Sequence, residues 1–308
     1  MILDSKYNLI VILGPTAAGK TQLAACLAHQ IQGEIISADS RQVYKGMNLG
    51  TGKDYEDYLV EGQEIKYHLI DTVEPGYKYN VFEYQSDFFD VFTTIQKSNV
   101  WPIMCGGSGL YIEAVLKGYK LINVPVNEGL RKELASKDLV ELRSVLTNYK
   151  SVHNNSDTDT IPRAIRAIEI EAYYLNNPLD DNSLPTLNPL IIGVDIEREA
   201  RRQRITTRLQ QRLDSGLIQE AEQLLANGLS IEDMIYYGLE YKYLALYLTG
   251  KLSYKQMFDQ LNVAIHQFAK RQMTWFRKME RDGFLIHWLN AFEPMDVRLK
   301  KIKQLLIQ

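Results

Sequence analysis

The chain has 308 residues, 45% of them hydrophobic and 24% charged, with a formal net charge of −3. That composition predicts a soluble globular protein of one large domain, or a core with a smaller satellite, and excludes binding of nucleic acid through global charge rather than a local patch. No apolar run approaches a membrane span and the N-terminus carries no secretory apolar region, which together predict a cytoplasmic protein.

The apolar run Leu9–Leu13 predicts a buried strand, and Gly14, Pro15, Thr16, Ala17, Ala18, Gly19, Lys20 and Thr21 follow it directly. They match the phosphate-loop pattern G-x-x-x-x-G-K-[ST] at every defined position, and Gln22–His29 continues with helical patterning. The glycines let the backbone wrap an anion so that successive N–H groups and a helix N-terminus face its oxygens. Lys20 adds a mobile positive charge, and the Thr21 hydroxyl is placed to help hold Mg²⁺. The loop predicts binding of a phosphate ester without specifying which one.

Glu34–Asp39 reads as a second strand, completing a βαβ unit whose crossover is right-handed. Ligands in such sheets gather at the carboxyl ends of strands, which would bring Asp39 toward the phosphate loop. Asp39 also suits a turn or helix N-cap, and position alone admits both readings. A glycine-rich loop over 45–53, a short strand over His68–Asp71, a turn at 74–76 and a helix over Val81–Gln96 come next. Trp101–Cys105 predicts another strand, running into Gly106, Gly107, Ser108, Gly109, Leu110 and Tyr111, a second backbone-rich corner. Cys105 and Cys26 have no metal-ligand or redox spacing and read as buried packing residues of a reducing compartment.

Residues 120–157 are polar with helical pieces over Glu128–Ser136 and Val140–Tyr149, ending in loop composition at 154–159. Pro162 opens a helix carrying Arg163 and Arg166. After a Pro/Asn-rich loop from Asn176 to Leu187, Leu190–Asp195 is a further parallel strand. Arg201, Arg204, Arg208 and Arg212 then fall on one helical face beside Ile205, Leu209 and Leu213. Most of these arginines read as a solvated face, and Arg204 is the one expected to reach back to the phosphate site. Gly216, Gly228, Gly238 and Gly250 punctuate a small helical subdomain. A last helix interleaves Lys270, Arg271, Gln272, Trp275 and Phe276 before a strand over Phe284–Trp288. That interleaving suits an RNA backbone and a stacked base as well as it suits a packed amphipathic helix. The fold class is α/β: a P-loop NTPase-like parallel sheet core with a small helical subdomain. Its expected divisions are a core over 1–204 with an insert at about 120–157, helices over 205–262, and a return to the core over 263–308.

Gly14–Thr21, Asp39–Met47, Gly106–Tyr111, Arg163–Glu169 and Ala269–Trp275 occur in this order, and together they closely resemble the tRNA dimethylallyltransferase (isopentenyltransferase) family over nearly the whole chain. The resemblance implies transfer of the dimethylallyl group from dimethylallyl diphosphate to N6 of adenine 37, beside the anticodon of tRNA, with Mg²⁺ as cofactor. It implies Asp39 as general base, and Ser108, where the family more often has threonine, as a hydrogen-bond donor to the leaving group. Arg204 would stabilise that leaving group, and the diphosphate would lie on Gly14, Thr16, Ala17, Ala18, Gly19, Lys20 and Thr21. The tRNA anticodon stem-loop would be met by Asp39, Ser40, Arg41, Gln42, Ser108, Pro162, Arg163, Arg166, Lys270, Arg271 and Gln272, with the protein acting as a monomer of bacterial type. Three places depart from the family pattern: the stretch from Asp157 to Pro162, Leu239 after Gly238, and His266. All fall where tRNA contact is expected. The competing readings are an adenylate isopentenyltransferase acting on free nucleotides and a P-loop small-molecule kinase.

Overall fold

A computed structural model describes residues 5–149, 158–177 and 184–307. Asp157, most of the polar run at 154–159 and part of the Pro/Asn-rich loop lie outside the described residues. The chain divides into two compact units, one of residues 1–118 with 185–308, the other of residues 119–184.

The first unit is built on strands β1 (Leu9–Leu13), β2 (Gly33–Ala38), β5 (Tyr67–His68), β6 (Trp101–Gly106), β7 (Pro189–Asp195) and β8 (Ile286–Asn290). They form one sheet in the order β5-β2-β6-β1-β7-β8, and every pairing is parallel. Two-residue strands β3 (Leu59–Val60) and β4 (Gln63–Glu64) make a separate antiparallel hairpin. The central strands are buried on both faces, which is why they read as continuous Ile, Leu and Val rather than as alternation.

Helix α1 (Lys20–Ile31) packs one face, where Leu23, Ala24 and Leu27 meet Ile10, Ile12 and Ile192 in a common core. Helices α2 (Val81–Lys97) and α3 (Gly109–Leu116) belong to the opposite core, with Leu9, Val11 and Ile36. Cys105 is buried, as expected, whereas Cys26 is only partly so; both are free thiols.

In the second unit, α4 (Glu128–Leu134), α5 (Leu139–Thr147) and α6 (Ile161–Asn176) close on Leu134, Leu142, Leu146, Ala164 and Ile168. Asp138 caps α5 in a reciprocal box with Glu141, and Pro162 occupies the first turn of α6.

Back in the first unit, α7 (Arg198–Asp214), α8 (Leu217–Ala226), α9 (Ile231–Tyr236) and α10 (Leu239–Leu248) lead into the 28-residue α11 (Tyr254–Arg281). The sequence reading did not anticipate a final helix, α12 (Met295–Leu306). It buries Leu299 and Ile302 on the α1 side of the sheet, so the chain does not end with its last strand. Among the described residues, no helix is long and apolar enough to cross a membrane.

Candidate active site

The β1–α1 loop is shaped for an anion by its backbone. Gly14 passes so close to β7 that a Cβ there would lie 2.7 Å from the Val194 carbonyl oxygen. Ala17 and Gly19 both take left-handed conformations, with φ of 63° and 81°. The turn delivers α1 with no side chain capping its N-terminus, so its first amides remain open to a ligand. Lys20 folds back to donate from Nζ to the Pro15 carbonyl at 2.7 Å. Burial lowers its pKa to about 8; Arg208 pushes it further down, while Asp39 pulls the other way.

Asp39 and Ser108 follow strands that are direct neighbours, with Ala38 opposite Gly106 in register. The Ser108 amide donates to the Ala38 carbonyl at 3.2 Å, and Ser108 Oγ accepts from the Ser40 amide at 3.1 Å. Asp39 Oδ1 accepts from the Arg41 amide at 2.9 Å, the bond expected of a turn aspartate. Its Oδ2 makes none of the hydrogen bonds found among the described residues. Gln42 is engaged within the protein, accepting from Ser37 Oγ and donating to the Gly52 carbonyl, each at 3.1 Å.

The loop that follows is held from below. Buried Lys53 donates to the Tyr44 carbonyl and pairs with Asp71. The Glu220 carboxylate on α8 accepts three successive amides, of Asn48, Leu49 and Gly50, at 2.8, 2.8 and 2.9 Å. These bonds fix the loop on which Asp39, Ser40 and Arg41 begin.

The arginine assignment is corrected by the geometry. Arg204 is exposed, and its guanidinium lies 5.0 Å from the centre of the Phe292 ring. One turn further along α7, Arg208 pairs with Asp54, and its charge helps to lower the Lys20 pKa. Arg212 lies one turn beyond, with its side chain 14% exposed, 3.5 Å from Asp54, and its Nη2 buried without a hydrogen-bond partner among the described residues. Glu240, in the first turn of α10, has its carboxyl pushed up by burial; Arg212 and Arg208 lower it, and Asp39 raises it. Arg208, Arg212, Asp54 and Glu240 were all missed from sequence. Four arginines spaced three or four residues apart define a face but not which member of it meets the loop.

Gln272 is also corrected. It was placed among RNA-contacting residues, yet it is buried, its side chain bonded to the Thr16 amide and the Gly107 carbonyl. A packed amphipathic helix has to point some of its polar residues inward, and this is one. Lys270 and Arg271 beside it are exposed, with Arg271 6.0 Å from the Phe268 ring centre. His266 sits 3.5 Å from Thr206 Oγ1, and its pKa is lowered by burial and by Arg202 and Arg201. Leu239 packs against the core.

In the second unit, Arg163 pairs with Asp159 at the solvent surface, near Pro162. Arg166 pairs with Glu169 and donates to the Val124 carbonyl at 2.8 Å. Glu169 is also met by Arg131 at 3.0 Å, which makes Arg166 part of a local network.

No group of three or more His, Cys, Asp or Glu residues among the described residues could hold a metal by itself. A divalent ion on a diphosphate takes few ligands from protein and completes its shell from substrate oxygens and water, and Thr21, in the first turn of α1, carries a hydroxyl.

Comparison with known proteins shows the family to which the chain is similar. A family model described as IPP transferase matches residues 42–279. The chain is 60% identical over 298 residues to tRNA dimethylallyltransferase 2 of Bacteroides fragilis, covering 97% of each chain. It is also 60% identical over 301 residues to tRNA dimethylallyltransferase 2 of Phocaeicola vulgatus, covering 98% of each. Among solved structures, the full-length tRNA isopentenylpyrophosphate transferase of Bacillus halodurans superposes with a TM-score of 0.70 at 31% identity, covering 97% of this chain and 95% of that one.

Proposed function

The chain belongs to the IPP transferase family, and on that footing we propose that it transfers the dimethylallyl group of dimethylallyl diphosphate to N6 of an adenine beside the anticodon of tRNA. The reading is supported by one observation: Ala38 and Gly106 pair in register and Gln272 joins the Thr16 amide to the Gly107 carbonyl, so the phosphate loop and the strand ends that carry Asp39 and Ser108 are neighbours.

The chemistry needs both. An exocyclic adenine amine is a poor nucleophile because its lone pair is delocalised into the ring. Reaction therefore depends on a good leaving group and on timely removal of a proton. As N6 bonds to C1 of the dimethylallyl group, the C1–O bond breaks and its electron pair leaves with diphosphate. Lys20, the loop amides and Arg208 meet that growing charge. Ser108 Oγ is placed beside Ser40 to donate to a leaving oxygen. Asp39 Oδ2 receives the N6 proton. Mg²⁺ on Thr21, when bound, would neutralise further diphosphate charge. The adenine must leave its stack to reach this crevice, at a cost of about a few kcal/mol. The protein is proposed to act as a monomer in the cytoplasm.

Release of diphosphate from dimethylallyl diphosphate on addition of unmodified tRNA, with no ADP formed when ATP is supplied, is the expected result. ADP formation would instead mark a kinase. Lys20 gives the site a pH signature. Its ammonium is held to a pKa of about 8 in the free protein, and a bound anion raises that value. Affinity for inorganic pyrophosphate is therefore expected to be level below pH 8. Above it, affinity should fall beyond what the ligand's own titration explains, by up to about tenfold per pH unit. Calorimetry from pH 6.5 to 9.5 reads this directly, and a level profile would remove Lys20 from the site.

On the RNA side, Lys270→Ala combined with Arg271→Ala is expected to weaken tRNA binding. It should also reduce the slope of log affinity against log salt by about one for each phosphate that the helix no longer neutralises. An unchanged slope would make the exposed edge of α11 a solvated face only.

A further inference from the structure

The proposed reaction gives no task to Gln272, although it is among the few polar residues buried in the protein, at 7% exposure. It stands on α11 between exposed Arg271 and buried Met273, facing away from solvent. Its Oε1 accepts from the Thr16 amide at 2.8 Å, and its Nε2 donates to the Gly107 carbonyl at 2.9 Å. One partner only donates and the other only accepts, so the pair fixes which way the amide points.

The surroundings are cut to admit it. A Cβ on Gly107 would overlap Gln272 Nε2 and come within 3.3 Å of the Gly14 carbonyl oxygen. A Cβ on Gly109 would lie 2.5 Å from the Trp275 ring, one turn along α11. The helix is thus seated on the β6–α3 corner through two glycines, and its amide reaches past that corner into the phosphate loop.

We propose that Gln272 is a positioning residue for the diphosphate site, resting on the transferase reading above. It ties Thr16 to the Gly107 corner, so the phosphate loop keeps the shape that receives diphosphate. The side chain acts through two backbone groups and touches neither RNA nor the reacting atoms. Losing it leaves a half-buried donor in the loop and a buried acceptor at the corner, both unpaired, and frees the loop to rearrange.

The test uses the full chain with Gln272→Met, which keeps the bulk and removes both bonds, and Gln272→Asn, which keeps the amide but cannot span both partners. Inorganic pyrophosphate binding is measured by calorimetry without tRNA, and KM is measured separately for dimethylallyl diphosphate and for tRNA. Both variants are expected to bind pyrophosphate about tenfold more weakly and to raise the donor KM in proportion, with the tRNA KM within about twofold. Gly107→Ala, which displaces the same amide, is expected to cause a similar loss. Combined with Gln272→Met it should add nothing further, because both changes break one linkage. A raised tRNA KM with unchanged pyrophosphate binding would overturn the proposal and return Gln272 to the RNA surface. Unchanged pyrophosphate binding with unchanged KM values, or fully additive effects in the double variant, would also overturn it. Because the pyrophosphate measurement involves no transfer, it reports on Gln272 even if the wild-type protein prenylated nothing.

Discussion

Asp39→Ala is expected to slow prenyl transfer by about 10²- to 10⁴-fold, the range associated with a positioned general base. The loss should fall on kcat, with pyrophosphate binding within a few-fold of wild type, because the loop amides, Lys20 and Arg208 are untouched. Asp39 has two tasks: Oδ1 holds the Arg41 amide, and Oδ2 is left for the substrate. Asp39→Asn separates them. Asparagine can keep the turn through its carbonyl oxygen but cannot accept the N6 proton, so it should fold like wild type and react as slowly as the alanine variant. Single-turnover rates with saturating tRNA check both. Near-normal turnover by Asp39→Asn would leave the aspartate a turn residue.

The second large effect concerns the arginines of α7. Arg208→Ala is expected to lower the rate of transfer by about 10²- to 10³-fold, the loss typical of removing one charge stabiliser from a developing anion. Arg204→Ala should stay within roughly twofold, since its guanidinium rests on Phe292 at the surface. Arg208 and Arg212 are both drawn toward Asp54, Arg212 through a buried Nη2 that lies 3.5 Å from the carboxylate without a hydrogen bond among the described residues. The Arg208 charge lowers the Lys20 pKa, and a bound diphosphate would offset that repulsion. Arg208→Ala is accordingly expected to weaken pyrophosphate binding as well, distinguishing it from the Asp39 variants. If Arg204→Ala were the damaging change, the register of α7 against the phosphate loop would be wrong.

The parts of the molecule that were legible in sequence are those whose chemistry is local. The phosphate loop is read from eight consecutive residues, and Leu9–Leu13 and Leu190–Asp195 declare buried parallel strands by their unbroken apolar runs. Asp39 and Ser108 could be assigned to strand ends, but not to each other's neighbourhood. That follows from β6 lying between β2 and β1, a strand order no local pattern encodes.

Helix faces were the commonest failure. Spacing puts Arg204, Arg208 and Arg212 on one side of α7, whereas only the tertiary register decides that Arg208 pairs with Asp54 while Arg204 rests on Phe292. Gln272 was hidden in a basic run whose composition suggested RNA, although its two partners lie 256 and 165 residues away. Glu220 likewise shows nothing in sequence of its grip on Asn48, Leu49 and Gly50. Helix α12 is hard to read although Leu299 and Ile302 have helical spacing, because they stand among Arg298, Lys300, Lys301 and Lys303.

The measurement that tests the central claim most directly is incubation with dimethylallyl diphosphate labelled in its prenyl group, Mg²⁺ and unmodified tRNA, with adenosine monophosphate offered in a parallel reaction. Transfer to tRNA predicts label in the RNA, mapping after digestion to an adenosine beside the anticodon, and none in the free nucleotide. Label in adenosine monophosphate alone, or in neither acceptor while pyrophosphate still binds, would contradict it.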